Sequence, residues 1–171
     1  MDMRKIYFFT CTIKDWIPLL GDDSRKQILI DSMTFLEKEG KLKIYAFVIM
    51  PNHFHAVLEM LEYNGKESPI ASFKKYTSRM LIKSIKSDSL LKRFKVNEKD
   101  RAYRIWKEKS RAVEMYTPDV VFQKLDYIHH NPVTGKWNLA DDYLGYPFSS
   151  ASFYQTLEDP FGFLSHIKDR V

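Results

Sequence analysis

The sequence predicts an α+β fold, a single domain built as a ferredoxin-like antiparallel sheet with helices packed against one face. Three observations predict it: strand-like apolar runs, amphipathic runs of helical period, and their order β-α-β-β-α. Residues 4–12 (RKIYFFTCT) read as the first strand. Residues 24–39 space Ile28, Leu29, Met33, Phe35 and Leu36 as a helix does. Ser24 is the expected N-cap, with Gln27 three residues on and Gly40 as the stop. Two strands follow, 42–50 and 53–60, joined at Pro51-Asn52; proline cannot donate to a ladder, so that pair marks a tight turn or a strand edge. Residues 68–87 form a second helix with Ser68 as N-cap and Pro69 at its first position. Its inward stripe is Ile70, Phe73, Tyr76 or Thr77, Met80 or Leu81, and Ile85, leaving Lys74, Lys75, Arg79, Lys83 and Lys86 outside or on the flanks. Residues 88–102 are polar and predict a loop, with Arg104-Ile105-Trp106 as a short extended piece. Thr117-Pro118-Asp119 opens a third helix that runs to about His130 and ends at Asn131-Pro132. Turn signals at Gly135, Gly145 and Pro147 mark the remainder, and no repeat, low-complexity tract or domain boundary interrupts the chain.

Composition narrows the class. A chain of 171 residues, 44% hydrophobic and 15% aromatic, can bury a core without staples, which excludes a disordered segment. The lone Cys11 excludes an internal disulfide and fits a reducing compartment. The opening MDMRKIYFFTCTIKDW has too short an apolar part for a signal peptide or membrane span, and no later run reaches that length, so a soluble cytoplasmic protein without a membrane partner is expected. The net charge of +5 is unevenly distributed: residues 66–111 hold fifteen Lys/Arg against five Asp/Glu. Such a concentration is either the footprint of a polyanion partner or a solvated helix face beside a basic loop. Charge alone does not choose between them.

The residues that carry chemistry lie in two stretches. In MPNHFH, residues 50–55, His53 and His55 stand two apart in a strand, so both imidazoles point to one face and form half of a metal site. The alternative is a pair of hydrogen-bonded structural histidines. The next positions on that face are Val57 and Glu59, so a third ligand must come from elsewhere. In DYIHHNP, residues 126–132, Tyr127 and Asn131 lie one helical turn apart on a common face. There the phenol can enter a site while the Asn131 amide oxygen completes a His-His-amide triad. Alternatively Tyr127 packs in the core and Asn131 caps the helix end. His129 and His130 cannot both face a metal; His130 could bind phosphate or pack. The chemistry is coherent. A metal on His53, His55 and Asn131 would polarise a scissile phosphate, and Tyr127 would attack phosphorus, join the DNA 5′ end and free a 3′ hydroxyl. A phenol ordinarily titrates near about 10, so the metal or nearby cations must favour phenolate. Trp106 and Trp137 could stack bases, although packing is the preferred role, and Phe8 and Phe9 are expected in the core.

With both motifs in place, the chain resembles the single-tyrosine HUH (His-hydrophobic-His) transposases, and most of all their REP-associated branch. His53-Phe54-His55 after Met50-Pro51-Asn52 carries the first motif, Phe73-Lys74-Lys75-Tyr76-Thr77 a basic helix, Tyr127 with Asn131-Pro132-Val133 the nucleophile helix, and Tyr146-Pro147-Phe148-Ser149-Ser150-Ala151 a Ser-Ser element. The resemblance covers roughly residues 4–153. It implies a ferredoxin-like fold, a divalent metal (Mg²⁺ or Mn²⁺), single-stranded DNA beside hairpins as substrate, and action as a homodimer or a monomer. Hairpin contacts are expected from Arg4, Lys5, Lys74, Lys75 and Arg79. Two competitors remain at this level: a non-catalytic nucleic-acid-binding domain, and a metal nuclease that uses water.

Overall fold

The computed structural model describes residues 1–171. In chain order its elements are β1 (Ile6–Thr12), α1 (Asp23–Lys38), β2 (Leu42–Met50), β3 (His53–Met60), α2 (Pro69–Ser84) and α3 (Asp88–Arg93). There follow β4 (Lys95–Glu98), β5 (Arg101–Tyr103), β6 (Arg111–Glu114), α4 (Pro118–His130) and α5 (Ala151–Thr156). Four strands form one antiparallel sheet in the order β2-β3-β1-β6, the ferredoxin-like arrangement. Thr10 stands opposite His55 and Thr12 opposite His53 across the β1–β3 ladder. No helix is long and apolar enough to cross a membrane.

Helices cover both faces of the sheet, where the sequence reading placed them on one. The cause is visible in β2 and β3, whose burial is nearly continuous instead of alternating, so each face needs its own cover. Phe54, Ala56, Leu58 and Met60 meet α1 and α2 in a core with Leu29, Met33, Leu36, Phe73 and Leu81. Phe8, Val48 and Val57 meet α4 through Val121, Leu125 and Ile128. Burying each of those three α4 side chains contributes about 1.5–3 kcal/mol. A bulge between Ile44 and Ala46 places Tyr45 and Ala46 together on the α4 side.

Local boundaries differ from the sequence reading for identifiable reasons. The first strand starts at Ile6; Arg4 has a left-handed backbone (φ 59°) that breaks the extended run, although its N–H still reaches Met60 O at 2.7 Å. Helix α1 is capped by Asp22, not Ser24: the Asp22 carboxylate accepts from Ser24 N–H at 2.8 Å, and a charged acceptor suits the positive end of the helix. Phe35, one of the apolar residues whose spacing predicted the helix, is exposed. Helix α2 has the expected Ser68 cap and buries Phe73, Thr77 and Leu81, but stops at Ser84 because Ile85 is already extended. Residues 88–102 are not a loop. Ser87 caps α3, Phe94 is fully buried, and β4 and β5 pair as a hairpin. Apolar residues too few to set a period anchor that segment, which is why the pattern missed it. Strand β6 and helix α5 are short and also escaped the pattern.

The C-terminal segment closes the β2 edge, which would otherwise present unpaired backbone groups. Tyr146 donates its hydroxyl to Ile49 O at 2.7 Å, and Ser149 bridges to Val48. Ser150 Oγ accepts from Phe47 N–H at 3.0 Å and lies 3.0 Å from His129 Nε2 on α4, so one buried hydroxyl joins the sheet edge to the tip of that helix. Replacing Ser150 by Ala strands a buried N–H and a buried imidazole. It is expected to lower stability by about 2 kcal/mol, read as a lower urea midpoint; an unchanged midpoint would show that the clamp is dispensable.

Candidate active site at the start of strand β3

The Pro51-Asn52 turn sets the first two side chains of the site. Asn52 is buried, its carbonyl accepting from Ile13 N–H at 2.9 Å, and its amide Nδ2 donates to Trp16 O at 3.2 Å. That contact turns Oδ1 toward His53, whose Nδ1 donates to it at 2.7 Å. His53 Nε2 therefore holds the lone pair. His55, buried at 6% exposure, places Nδ1 2.8 Å from Thr10 Oγ1, its cross-strand partner. The two rings sit 4.7 Å apart, with the nitrogens distal to these partners available. Burial lowers the His53 pKa to about 4, partly offset by the nearby Asn131 side chain, which favours the protonated form. Burial, then the charges of His53 and Lys124, lowers His55 to about 3. Both imidazoles are neutral near pH 7, the form that ligates metal.

Helix α4 delivers the rest. Thr117 caps it, Pro118 occupies its first turn, and the stripe Val121, Leu125, Ile128 holds it to the sheet. Tyr127 then lies beyond that stripe, 48% exposed, its ring 5.4 Å from the His55 ring. Asn131, one turn on, reaches His53. The structure thus brings His53, His55, Tyr127 and Asn131 together. His129 turns inward to Ser150, and His130 Nδ1 turns back to donate to Asp126 O at 3.0 Å.

Other expected contributors lie elsewhere. Arg4 and Lys5 sit at the end of β1 remote from His53, and Lys5 Nζ is paired with Glu114 at 2.9 Å. Lys74, Lys75 and Arg79 line a groove of about 850 Å³ beside α2, on the other face of the sheet, with Lys83, Arg101 and Lys107. Trp106 is buried with its indole N–H donated to Thr77 Oγ1 at 3.0 Å, and so offers no stacking face.

Four contributors were missed by the sequence reading. Lys124 is the first: its Nζ lies 5.7 Å from the Tyr127 ring and 5.1 Å from Phe8, without an ion pair. Its i,i+3 spacing from Tyr127 was legible as a shared helix face. Phe8 is buried in the core as expected, and the role that was not foreseen is its stacking on His55 at 5.2 Å as the floor of the site. Thr10 and Asn52 act through hydrogen bonds that only strand pairing and the turn create. Two neutral imidazoles and one amide oxygen fit a divalent cation, and no group of three His, Cys, Asp or Glu converges anywhere in the chain to offer a rival site.

One half-buried histidine and two buried ones also set an acid limit. His53 and His129 have pKa values of about 4 and His55 of about 3, all below the ordinary 6.5 chiefly through burial. Between those values and 6.5 the unfolded chain binds more protons than the folded one, so stability rises with pH there and is lost as pH falls. A lower urea midpoint at about pH 5 than at about pH 7.5 is expected; equal midpoints would contradict these burial effects.

No family model matches the chain, and no curated protein does. Among solved structures, the chain is similar to a REP-associated tyrosine transposase bound to a REP hairpin, with a TM-score of 0.66, 18% identity, and coverage of 97% of this chain and 88% of that one. A protein from Deinococcus radiodurans R1 assigned as a transposase overlaps 72% of this chain and 87% of its own at 17% identity and a TM-score of 0.45, too low to carry an argument. At 18% identity the first likeness establishes a common fold, which this chain shares with a tyrosine transposase over nearly its full length.

Proposed function

We propose that this chain, as a single domain acting in the cytoplasm, is a transposase of the single-tyrosine HUH kind, REP-associated in type, which cleaves single-stranded DNA beside a hairpin and rejoins it. One observation carries the reading: an exposed tyrosine without a hydrogen bond, Tyr127, stands beside two neutral imidazoles and an amide at one end of the sheet. The shared fold and the hairpin bound by the solved neighbour support it.

His53 Nε2, the free nitrogen of His55 and the Asn131 amide oxygen would hold Mg²⁺ or Mn²⁺. When bound, the cation supplies polarisation of a non-bridging phosphate oxygen. The Tyr127 phenol oxygen attacks phosphorus and loses its proton to solvent. The bond from phosphorus to the 3′ oxygen breaks, and that oxygen leaves as a hydroxyl after taking up a proton. The 5′-phosphotyrosine keeps the bond energy, so a second 3′ hydroxyl can reverse the step and transfer the strand. Lys124, an unpaired cation beside Tyr127 and His55, favours the negative charge that builds on the attacking and phosphate oxygens. Lys74, Lys75 and Arg79 would engage the duplex phosphates of the hairpin from the α2 groove. Arg4 remains exposed and could add to these contacts, but Lys5 would first have to release Glu114.

The test is a denaturing gel of protein mixed with hairpin-bearing single-stranded DNA from the flanks of its own gene, with Mn²⁺. An SDS-resistant adduct is expected that is absent in Tyr127→Phe and in His55→Ala. Cleavage that persists in Tyr127→Phe would replace the proposal with a hydrolytic nuclease, and tight binding without cleavage would replace it with a binding module. Lys124→Gln is expected to slow adduct formation roughly ten-fold, below the span for a buried oxyanion donor because this lysine is half-exposed. An unchanged rate would remove Lys124 from the mechanism.

A further inference from the structure

We infer that Trp16 is a stacking platform for an unpaired nucleobase of the DNA strand that runs from the basic groove to the His53–His55 pair; the inference rests on the DNA-processing reading above. Trp16 lies in a segment whose apolar residues are otherwise hidden: Ile13, Ile17, Leu19 and Leu20 are all buried, yet the indole is 55% exposed. It is held there against backbone preference. Asp15 and Trp16 are consecutive non-glycine residues in the left-handed region, at φ 54° and 57°. Such conformations persist only where the surroundings fix them, and they gather at functional sites. Here Trp16 N–H donates to Ile13 O at 3.1 Å, and Trp16 O accepts from Asn52 Nδ2 at 3.2 Å.

The position joins two features on opposite faces of the sheet. Lys107 lines the basic groove beside α2, and its Nζ also lies over the Trp16 ring, 4.1 Å from the centroid. On its other flank the ring stands 6.4 Å from the His53 ring at an interplanar angle of 75°. Asn52 bonds to both the Trp16 backbone and His53 Nδ1, so the platform and the candidate ligand share one rigid support. A hairpin stem held in the groove therefore has its unpaired flank led past Trp16 toward Tyr127. Only a base freed from pairing can lie on a ring face, and stacking of this kind tolerates any base. The Lys107 cation reinforces the ring's position while adding charge for the adjoining phosphate. The other tryptophans do not compete: Trp106 is buried, and Trp137 packs against the core beneath α4.

The experiment uses the full chain carrying Trp137→Phe, so that Trp16 is the exposed fluorophore. The probe is a DNA hairpin with a single-stranded flank from its own gene, together with versions bearing one abasic site at each flank position. Fluorescence quenching on binding is expected, with one abasic position weakening binding about ten-fold. In Trp16→Ala, binding is expected to be weaker by about the same factor and indifferent to that abasic site, whereas Trp16→Tyr restores the dependence. If every abasic site costs both proteins equally, the platform is overturned. The Tyr127 adduct, scored on the same oligonucleotides, separates the two readings. An adduct without a coupled position overturns the platform and leaves the transposase; a coupled position without an adduct supports the platform and overturns the chemistry. Failure to bind any of the oligonucleotides overturns both.

Discussion

Strand β3 is buried on both faces, and its period of two sorts its residues between two layers. Phe54, Ala56 and Leu58 go to the α1–α2 core, while His53, His55, Val57 and Glu59 face the α4 layer. A slip of one residue in the β1–β3 register would carry both imidazoles into the apolar core and Phe54 into the site. The register is therefore over-determined: large apolar side chains on one face hold the polar ones on the other. The same pairing sets Thr10 against His55, so the packing of the sheet also decides which ring nitrogen is engaged.

Helix α4 is the other half of that arrangement, and three different constraints fix it. Its cap and proline set where it starts, its apolar stripe sets which face meets the sheet, and the His129–Ser150–Phe47 contact sets the position of its tip. The Ser-Ser element thus acts structurally. It closes the β2 edge and, through one hydroxyl, ties the helix that carries Tyr127 to Phe47 on that edge strand. Tyr127 itself makes no hydrogen bond, while its helix neighbours His129 and His130 bond to Ser150 and Asp126.

Two side chains at this end of the sheet are left without a partner, and two residues here are held against local backbone preference. Lys124 has no ion pair, Tyr127 has no hydrogen bond, and Asp15 and Trp16 occupy left-handed backbone that costs about 1–3 kcal/mol each. At the opposite end Arg4 is also left-handed, but the charges are paired: Glu59 is buried and receives Arg170 Nε at 2.9 Å and the Tyr45 hydroxyl at 2.7 Å, and Lys5 is neutralised by Glu114. The contrast gives physical content to the view that local rules yield where chemistry is done.

The sequence by itself determined the three long helices, three of the four sheet strands, the cap at Ser68, the opening of the third helix at Thr117-Pro118, and the common face of His53 and His55. Each follows from short-range periodicity or from a side chain bonding its own backbone. It also determined that Tyr127 and Asn131 share a helix face. What it left out needed pairing over long separations. Strand β6 gains its identity only beside β1, and α3 with the β4–β5 hairpin only from the burial of Phe94. Helix α4 lies on the far face because β2 and β3 have no solvent side to offer. Tertiary structure alone decided that residues 53, 55, 127 and 131 meet, and that Arg4 and Lys5 stay away. It alone placed Trp16 between Lys107 and His53, because contacts between residues dozens of positions apart are set by register and packing, which no local pattern encodes.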